Sequence, residues 1–266
     1  MNKSLKKKKR DAQSTACPEG TRVPRISRRG FGKQLLLATA ALGLAPSLLR
    51  RTAAAQSPAP LKIGIIGSGR IGGSVGLRWA EAGHEILFAS RNPDELGELV
   101  AQAGPRARAG LPREAAEFGD IVFIAVPYAA MPQVGQDYAE LLQGKIVIDC
   151  GNPYVQRDGE MAARALAQGT GVASAEFLPG VRLVRAFNAV SWMEVNDEAH
   201  RRGELIAIPI AGDDAEAVAV TTQLVIDAGF DPVVVGGLER AREFDQGTDV
   251  YVKGMTAREM RAALGL

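Results

Sequence analysis

The chain is 266 residues long, with 32 Lys and Arg, 30 Asp and Glu and a formal net charge of +2, and 46% of it is hydrophobic, a composition ordinary for one large or two smaller globular domains. The charge is unevenly divided: residues 1–55 hold thirteen basic and two acidic side chains, which leaves nineteen basic and twenty-eight acidic ones in residues 56–266. An acidic body excludes nonspecific nucleic-acid binding, so the KKKKR run at Lys6–Arg10 is assigned to targeting rather than to a nucleic-acid tail.

In chain order, the first feature is SRRGFGK, Ser27–Lys33, followed by the apolar run QLLLATAALGLAPSLL, Gln34–Leu49. That run falls short of a membrane span. After Arg50 and Arg51, Ala53 and Ala55 supply the small residues of an A-x-A cleavage site. The arrangement resembles a twin-arginine (Tat) signal peptide, with Arg28 and Arg29 as the pair, Phe31 at the aromatic position and Lys33 at the usual lysine; Gly32 departs from the larger apolar residue common there. The resemblance implies residues 1–55 as a signal peptide, passage through the Tat translocase, cleavage after Ala55 and a periplasmic location; an uncleaved membrane anchor is the alternative. Cys17 lies in this leader, so Cys150 is alone in the remainder and no intramolecular disulfide is available to it.

QSPAP, residues 56–60, reads as a linker, and residues 61–266 as one nucleotide-binding domain with a small C-terminal extension. Short apolar runs recur at 62–66, 85–89, 121–126, 145–149, 182–187, 205–211 and 232–235. Most lack alternation, as expected of strands covered on both faces. Helical patterns separate them. Ile71, Val75 and Trp79 mark one helix face that ends at Gly83; further patterns lie at 92–104 and 128–144, where Pro132 must sit in a first turn or kink the helix. The clearest helix is Asp213–Gly229, and TAREMRAALGL closes the chain as a terminal helix. This β-α-β-α order predicts an α/β fold with a doubly wound, mostly parallel sheet, the NAD(P)-binding Rossmann arrangement.

GSGRIGG follows the first strand and opens the first helix, which gives G-x-G-x-x-G its nucleotide-binding context. Gly67 permits the tight turn, Gly69 lets backbone approach a pyrophosphate, and Gly72 allows close helix–strand packing; Ser68, Arg70 and Ile71 complete the expected phosphate loop. The second strand ends in Ser90, Arg91 and Asn92, with no carboxylate before Asp94. A guanidinium and a hydroxyl suit a 2′-phosphate better than free ribose hydroxyls, so the expected cofactor is NADP(H). Ala125, Val126 and Pro127 end the next strand and are expected beside the nicotinamide. Tyr128, Asn152 and Asn188 are the polar groups expected to face the substrate.

A hydroxy-acid dehydrogenase needs a proton donor beside the hydride, and candidates are few. Lys62 and Lys145 enter strands at the end away from the crevice, and His84 and His200 read as surface residues. No metal-ligating cluster is expected, and no catalytic acid or base is assigned. This favours hydride transfer to a ring that carries its own chemistry, a flavin or deazaflavin.

The stretch from IGIIGSGRIGGSVG through ASRNPDEL, with DIVFIAVPY, KIVIDCGNPY, RLVRAFNAV and IAGDDAEA, resembles the NADPH-dependent coenzyme F420 reductases over residues 61 to about 240. The resemblance implies NADPH as donor, Ser90 and Arg91 on its 2′-phosphate, and coenzyme F420 or a flavin (FMN or FAD) as acceptor near Pro127 and the Asn188 segment. Two other readings stand beside it: an NADP-binding sensor or non-catalytic subunit, and an imine or keto reductase, for whose usual large helical domain too few residues remain. Trp192 and Met193 are expected either as an exposed apolar patch suited to a homodimer or as core.

Overall fold

The computed structural model describes residues 59–266; the expected leader and the first three linker residues lie outside the described residues. Lys62–Ile66 (β1) is buried from Ile63 onward, and Gly67 turns the chain at φ +98° into α1, Arg70–Glu81. β2, Glu85–Ala89, and a 3₁₀ turn at Pro93–Leu96 lead to α2, Gly97–Ala103, and β3, Ala107–Gly110. The chain continues through α3 (Pro112–Phe118), β4 (Ile121–Ile124), a 3₁₀ turn at Tyr128–Ala130, α4 (Met131–Asp137), α5 (Ala139–Leu142) and β5 (Ile146–Asp149). Then follow α6 (Val155–Gln168, interrupted at Gly159), α7 (Thr170–Phe177), β6 (Arg182–Arg185) and α8 (Trp192–Asp197). β7 (Ala207–Gly212), α9 (Ala215–Asp227), β8 (Asp231–Gly236), a 3₁₀ segment at Leu238–Phe244 and α10 (Ala257–Ala263) complete it.

The eight strands form one sheet in the order β3-β2-β1-β4-β5-β6-β7-β8. Every neighbouring pair is parallel except β6 and β7. The fold is therefore α/β with a mostly parallel sheet of Rossmann type, as the apolar runs implied. The strict β-α-β-α progression fails at one place: α8 and the loop after it return the chain so that β7 enters against β6, and the parallel β7-α9-β8 unit runs opposite to the first six strands. β3, one of the two edge strands, carries no apolar run, and Arg108 and Ala109 in it are exposed.

Packing follows from the patterns. Val75 and Trp79 of α1 are fully buried, and a Cβ at Gly76 would collide with Ile65 and Phe88, so the helix lies directly on the sheet. Trp79 meets Phe123 and Phe187 edge to face at 5.1 and 5.6 Å, and its Nε1 donates to the Leu224 carbonyl of α9 at 2.8 Å. Such aromatic pairs add about 1 kcal/mol each to area burial. Pro132 occupies the first turn of α4, where its missing N–H costs nothing. Asp214 caps α9 by accepting from the Ala217 amide at 2.7 Å, and Gly229 at φ +88° follows the helix.

His84 is a correction to its expected surface position. It is buried, its Nδ1 accepts from the Leu61 amide at 3.2 Å, and its Nε2 therefore carries the proton toward Asp227 at 3.0 Å. Lys145 does stand at the end away from the crevice, where its Nζ donates to the Ala116 and Gly119 carbonyls at the end of α3; burial lowers its pKa. Among the described residues no helix is long and apolar enough to cross a membrane.

Candidate active site

The C-terminal ends of β1, β4, β5 and β6 open into a cleft of about 530 Å³. Arg70 and Ile71 of α1 line it, with Ala125, Val126 and Pro127 after β4, Asn152 and Tyr154 after β5, Phe187, Ser191 and Trp192 after β6, and Tyr251 and Val252 from the C-terminal segment. This is the crevice position where a doubly wound sheet binds nucleotides.

The glycine loop has the form its spacing implied. Gly67 is in the left-handed region, a Cβ at Gly72 would run into the Gly67 carbonyl, and a Cβ at Gly69 would meet nothing, so the space over Gly69 is open. No side chain caps α1, and its first turn contains no acidic residue. A helix N-terminus left with free amides under an open glycine fits a pyrophosphate. Ser68 lies in this loop, its amide donating to the Ala89 carbonyl at 2.9 Å.

At the end of β2, Ser90 Oγ accepts from the Asn92 amide at 3.1 Å, which shapes the turn, and the Asn92 side chain donates to Glu95 at 3.2 Å. Arg91 is exposed, and none of the ion pairs among the described residues includes it. Its guanidinium is thus available to a phosphate on the ribose. Asn92 is turned toward Glu95 and contributes mainly the turn.

Two of the three residues expected to face the substrate do not reach the cleft. Tyr128 is fully buried beneath the β4 end, its hydroxyl 3.0 Å from Ser174 Oγ, and burial, followed by the charge of Asp149, pushes its phenol up to about 12. Asn188 is buried as well: its Nδ2 donates to the Phe244 carbonyl at 3.2 Å and its own carbonyl accepts from Asn152 Nδ2 at 2.8 Å. The reason is the turn after each strand, which directs these side chains under the cleft floor. Asn152 does line the cleft, with Asn188 holding it from below.

Under the floor lies a buried ionic group that the sequence reading passed over. Asp149 and Arg185 are partners in register on β5 and β6, and Arg185 Nη1 donates to Asp149 Oδ2 at 2.6 Å; Asp245 stands 3.8 Å from Arg185 Nη2. Burial opposes the Arg185 charge, but Asp149 and Asp245 outweigh it, so its pKa rises. Asp149 Oδ1 also accepts from the Gly151 amide at 2.7 Å, which fixes the loop carrying Asn152. The signal was present: Asp149 and Arg185 each follow directly on buried apolar residues, Ile146 to Ile148 and Leu183 to Val184. Cys150, between these groups and the cleft, is buried with its thiol pushed up by burial and by Asp149.

Aromatic and cationic side chains make up the upper walls. Arg70 lies over the Trp192 ring at 5.4 Å and Arg157 over the Tyr154 ring at 4.9 Å. Trp192 and Met193 are exposed, 36% and 53%, so the core alternative for them does not hold. Tyr251, Arg157 and Trp192 carried no catalytic signal in the sequence, because only the fold brings a loop, a helix start and the C-terminal segment to one place. Among the described residues no group of His, Cys, Asp and Glu is arranged to hold a metal ion.

The sequence pattern of the family described as "NADP oxidoreductase coenzyme F420-dependent" matches residues 62–153. The chain is similar to the F420-dependent NADP reductase of Methanothermobacter marburgensis, 28% identical over 72% of this chain and 91% of that protein. It is also similar to the rat metalloreductase STEAP3, 28% identical over 69% of this chain, and it spans 36% of that protein's length. A crystal structure of a Sinorhizobium meliloti protein shares the fold with a TM-score of 0.64 at 23% identity, covering 74% of this chain and 95% of that one. With its glycine loop and its nucleotide crevice in agreement with the matched span, the chain is similar over residues 62–153 to the coenzyme F420-dependent NADP oxidoreductases.

Proposed function

We propose that the protein transfers hydride between NADPH and a planar ring acceptor, coenzyme F420 or a flavin. The observation that carries this reading is the adjacency of an open glycine loop over the uncapped α1 and a cleft walled by Trp192, Tyr154 and Tyr251, the two joined at Arg70 and Trp192. Ser68, Gly69, Arg70 and Ile71 would hold the pyrophosphate, Ser90 and Arg91 the 2′-phosphate, and Ala125, Val126 and Pro127 the nicotinamide side of the cleft. NADPH supplies the hydride when bound. The protein's part is orientation and exclusion of water: the flat walls stack ring on ring, and two guanidiniums stacked on aromatic faces favour an electron-rich or anionic partner. Similarity to a protein named metalloreductase makes a metal ion a second acceptor class for the same assay.

The test is reduction of oxidised F420, of FMN and of a ferric chelate by the purified full chain with NADPH and separately with NADH. Turnover of F420 or FMN with a preference for NADPH is expected. Tight NADPH binding with no acceptor reduced would favour a sensor or subunit role. Arg91→Ala should weaken NADPH about 10- to 100-fold, the weight of a charge-assisted contact, and leave NADH within about twofold. Equal losses for both nucleotides would remove Arg91 from the 2′-phosphate site. The Tat-like leader supports a second part of the proposal, export of the folded protein with NADP already bound, since free NADPH is not expected outside the cytosol.

A further inference from the structure

Tyr154 and Tyr251 come from outside the matched span, one from the loop after β5 and one from the C-terminal segment, and their hydroxyls meet at 2.7 Å in the cleft. Two phenols in one hydrogen bond commit one proton. The other O–H has no acceptor among the described residues, so the pair as a unit holds one donor in reserve.

The placement is held from several sides. Arg157 covers the Tyr154 ring and its Nη2 donates to the Asn152 carbonyl at 2.8 Å, which locks the tyrosine against the cleft loop. On the other strand of the clasp, Asp245 accepts from the Thr170 amide and hydroxyl and faces Arg185, while the Val252 amide donates to the Ala189 carbonyl at 3.0 Å. Residues 245–252 are thereby pinned at both ends across the strand ends.

Backbone strain falls at the same place. Val252, directly after Tyr251, has φ +51° and Phe187 has φ +62°; they are two of the three non-glycine residues in the left-handed region among the described residues, and both line the cleft. A β-branched residue there is strained and persists where its surroundings over-determine it. The Tyr251 phenol is pushed upward by burial and by its bond to Tyr154, so it remains a donor throughout the neutral and mildly alkaline range.

We propose that the Tyr154–Tyr251 hydroxyl pair is the specificity-determining group of the acceptor subsite, donating one hydrogen bond to a carbonyl oxygen or ring nitrogen of a planar heteroaromatic hydride acceptor. It rests on the hydride-transfer reading above, and adds that the C-terminal segment builds the acceptor side of the cleft while the glycine loop serves the nucleotide.

The experiment compares the full chain with Tyr154→Phe, Tyr251→Phe and the double variant. NADPH affinity is read from nucleotide fluorescence, FMN affinity from quenching of tryptophan emission with NADP⁺ present, folding from Tm, and turnover with FMN and F420 from absorbance. One single variant should lose about fivefold in FMN affinity, the weight of one neutral hydrogen bond, which identifies the outward hydroxyl. The double variant should lose at least as much, with NADPH affinity and Tm little changed. FMN binding and turnover unchanged in the double variant of a protein that reduces FMN or F420 would overturn this inference alone, as would a parallel loss of NADPH affinity. A wild-type protein that binds NADPH and takes up neither ring would overturn the hydride-transfer reading and this inference together.

Discussion

Tyr128 has a consequence at the scale of a single residue. Its phenol ionises near 10 in the unfolded chain and near 12 when folded, because burial and then Asp149 disfavour the phenolate. Between those values the unfolded state has already released its proton, so stability contributed by the protonated phenol is complete below pH 10 and is lost as pH rises toward 12. Two units correspond to about 2.7 kcal/mol. Urea midpoints across pH 9 to 11.5 should fall along this course, and Tyr128→Phe should flatten the slope. An unchanged slope in the variant would assign the alkaline loss to other groups. Asp149 belongs to the same scale: Asp149→Ala leaves Arg185 as a buried guanidinium with its nearest carboxylate gone, and a loss of about 3–5 kcal/mol in unfolding free energy is expected by denaturant titration.

At the scale of an element, α1 is the part on which nucleotide binding depends. Gly72→Ala places a methyl against the Gly67 carbonyl, so the loop or the helix must shift; NADPH affinity should drop at least tenfold while the remaining sheet, measured by circular dichroism, is kept. Elements of this kind were legible in the sequence because one physical cause sets them. Buried parallel strands read as unbroken apolar runs, and the glycines of the loop answer steric demands that no other residue meets. β3 was not legible, since only Gly110 of its four residues is buried and ARAG carries no apolar run. The reversal at β7 was not legible either: β7 and β8 are as apolar as the parallel strands, and the direction of entry depends on how α8 and residues 198–206 return, which no local pattern encodes. Tyr128 and Asn188 lie under the cleft floor and not in the cleft, because a turn of one residue reverses the direction of a side chain at a strand end. Tyr251 escaped for the opposite reason, being distant in sequence from everything it touches.

For the molecule as a whole, the division of charge has a testable meaning. Basic residues 1–55 ahead of an acidic remainder fit the proposed handing of the chain to a translocase, and residues 56–266, with one cysteine, need no oxidation to fold. In a bacterial host with a Tat system, Arg28→Lys with Arg29→Lys should leave the protein in the cytosolic fraction, by immunoblot, while the unaltered chain reaches the periplasm. The washed periplasmic protein should release close to one NADP per chain on denaturation. Recovery of exported, folded protein with no nucleotide would show that binding and export are separate events.

The Cys150 thiol makes the cleft its own reporter. It lines the cleft floor yet is only 5% exposed, burial keeps it protonated, and its Sγ donates to the Ile124 carbonyl at 3.5 Å, so a maleimide should meet it slowly. In protein freed of its expected leader it is the only thiol, so alkylation reads access to the cleft floor at one point. Nucleotide seated over that floor should slow the labelling, and the ratio of the two rates would report how far the cleft is occupied.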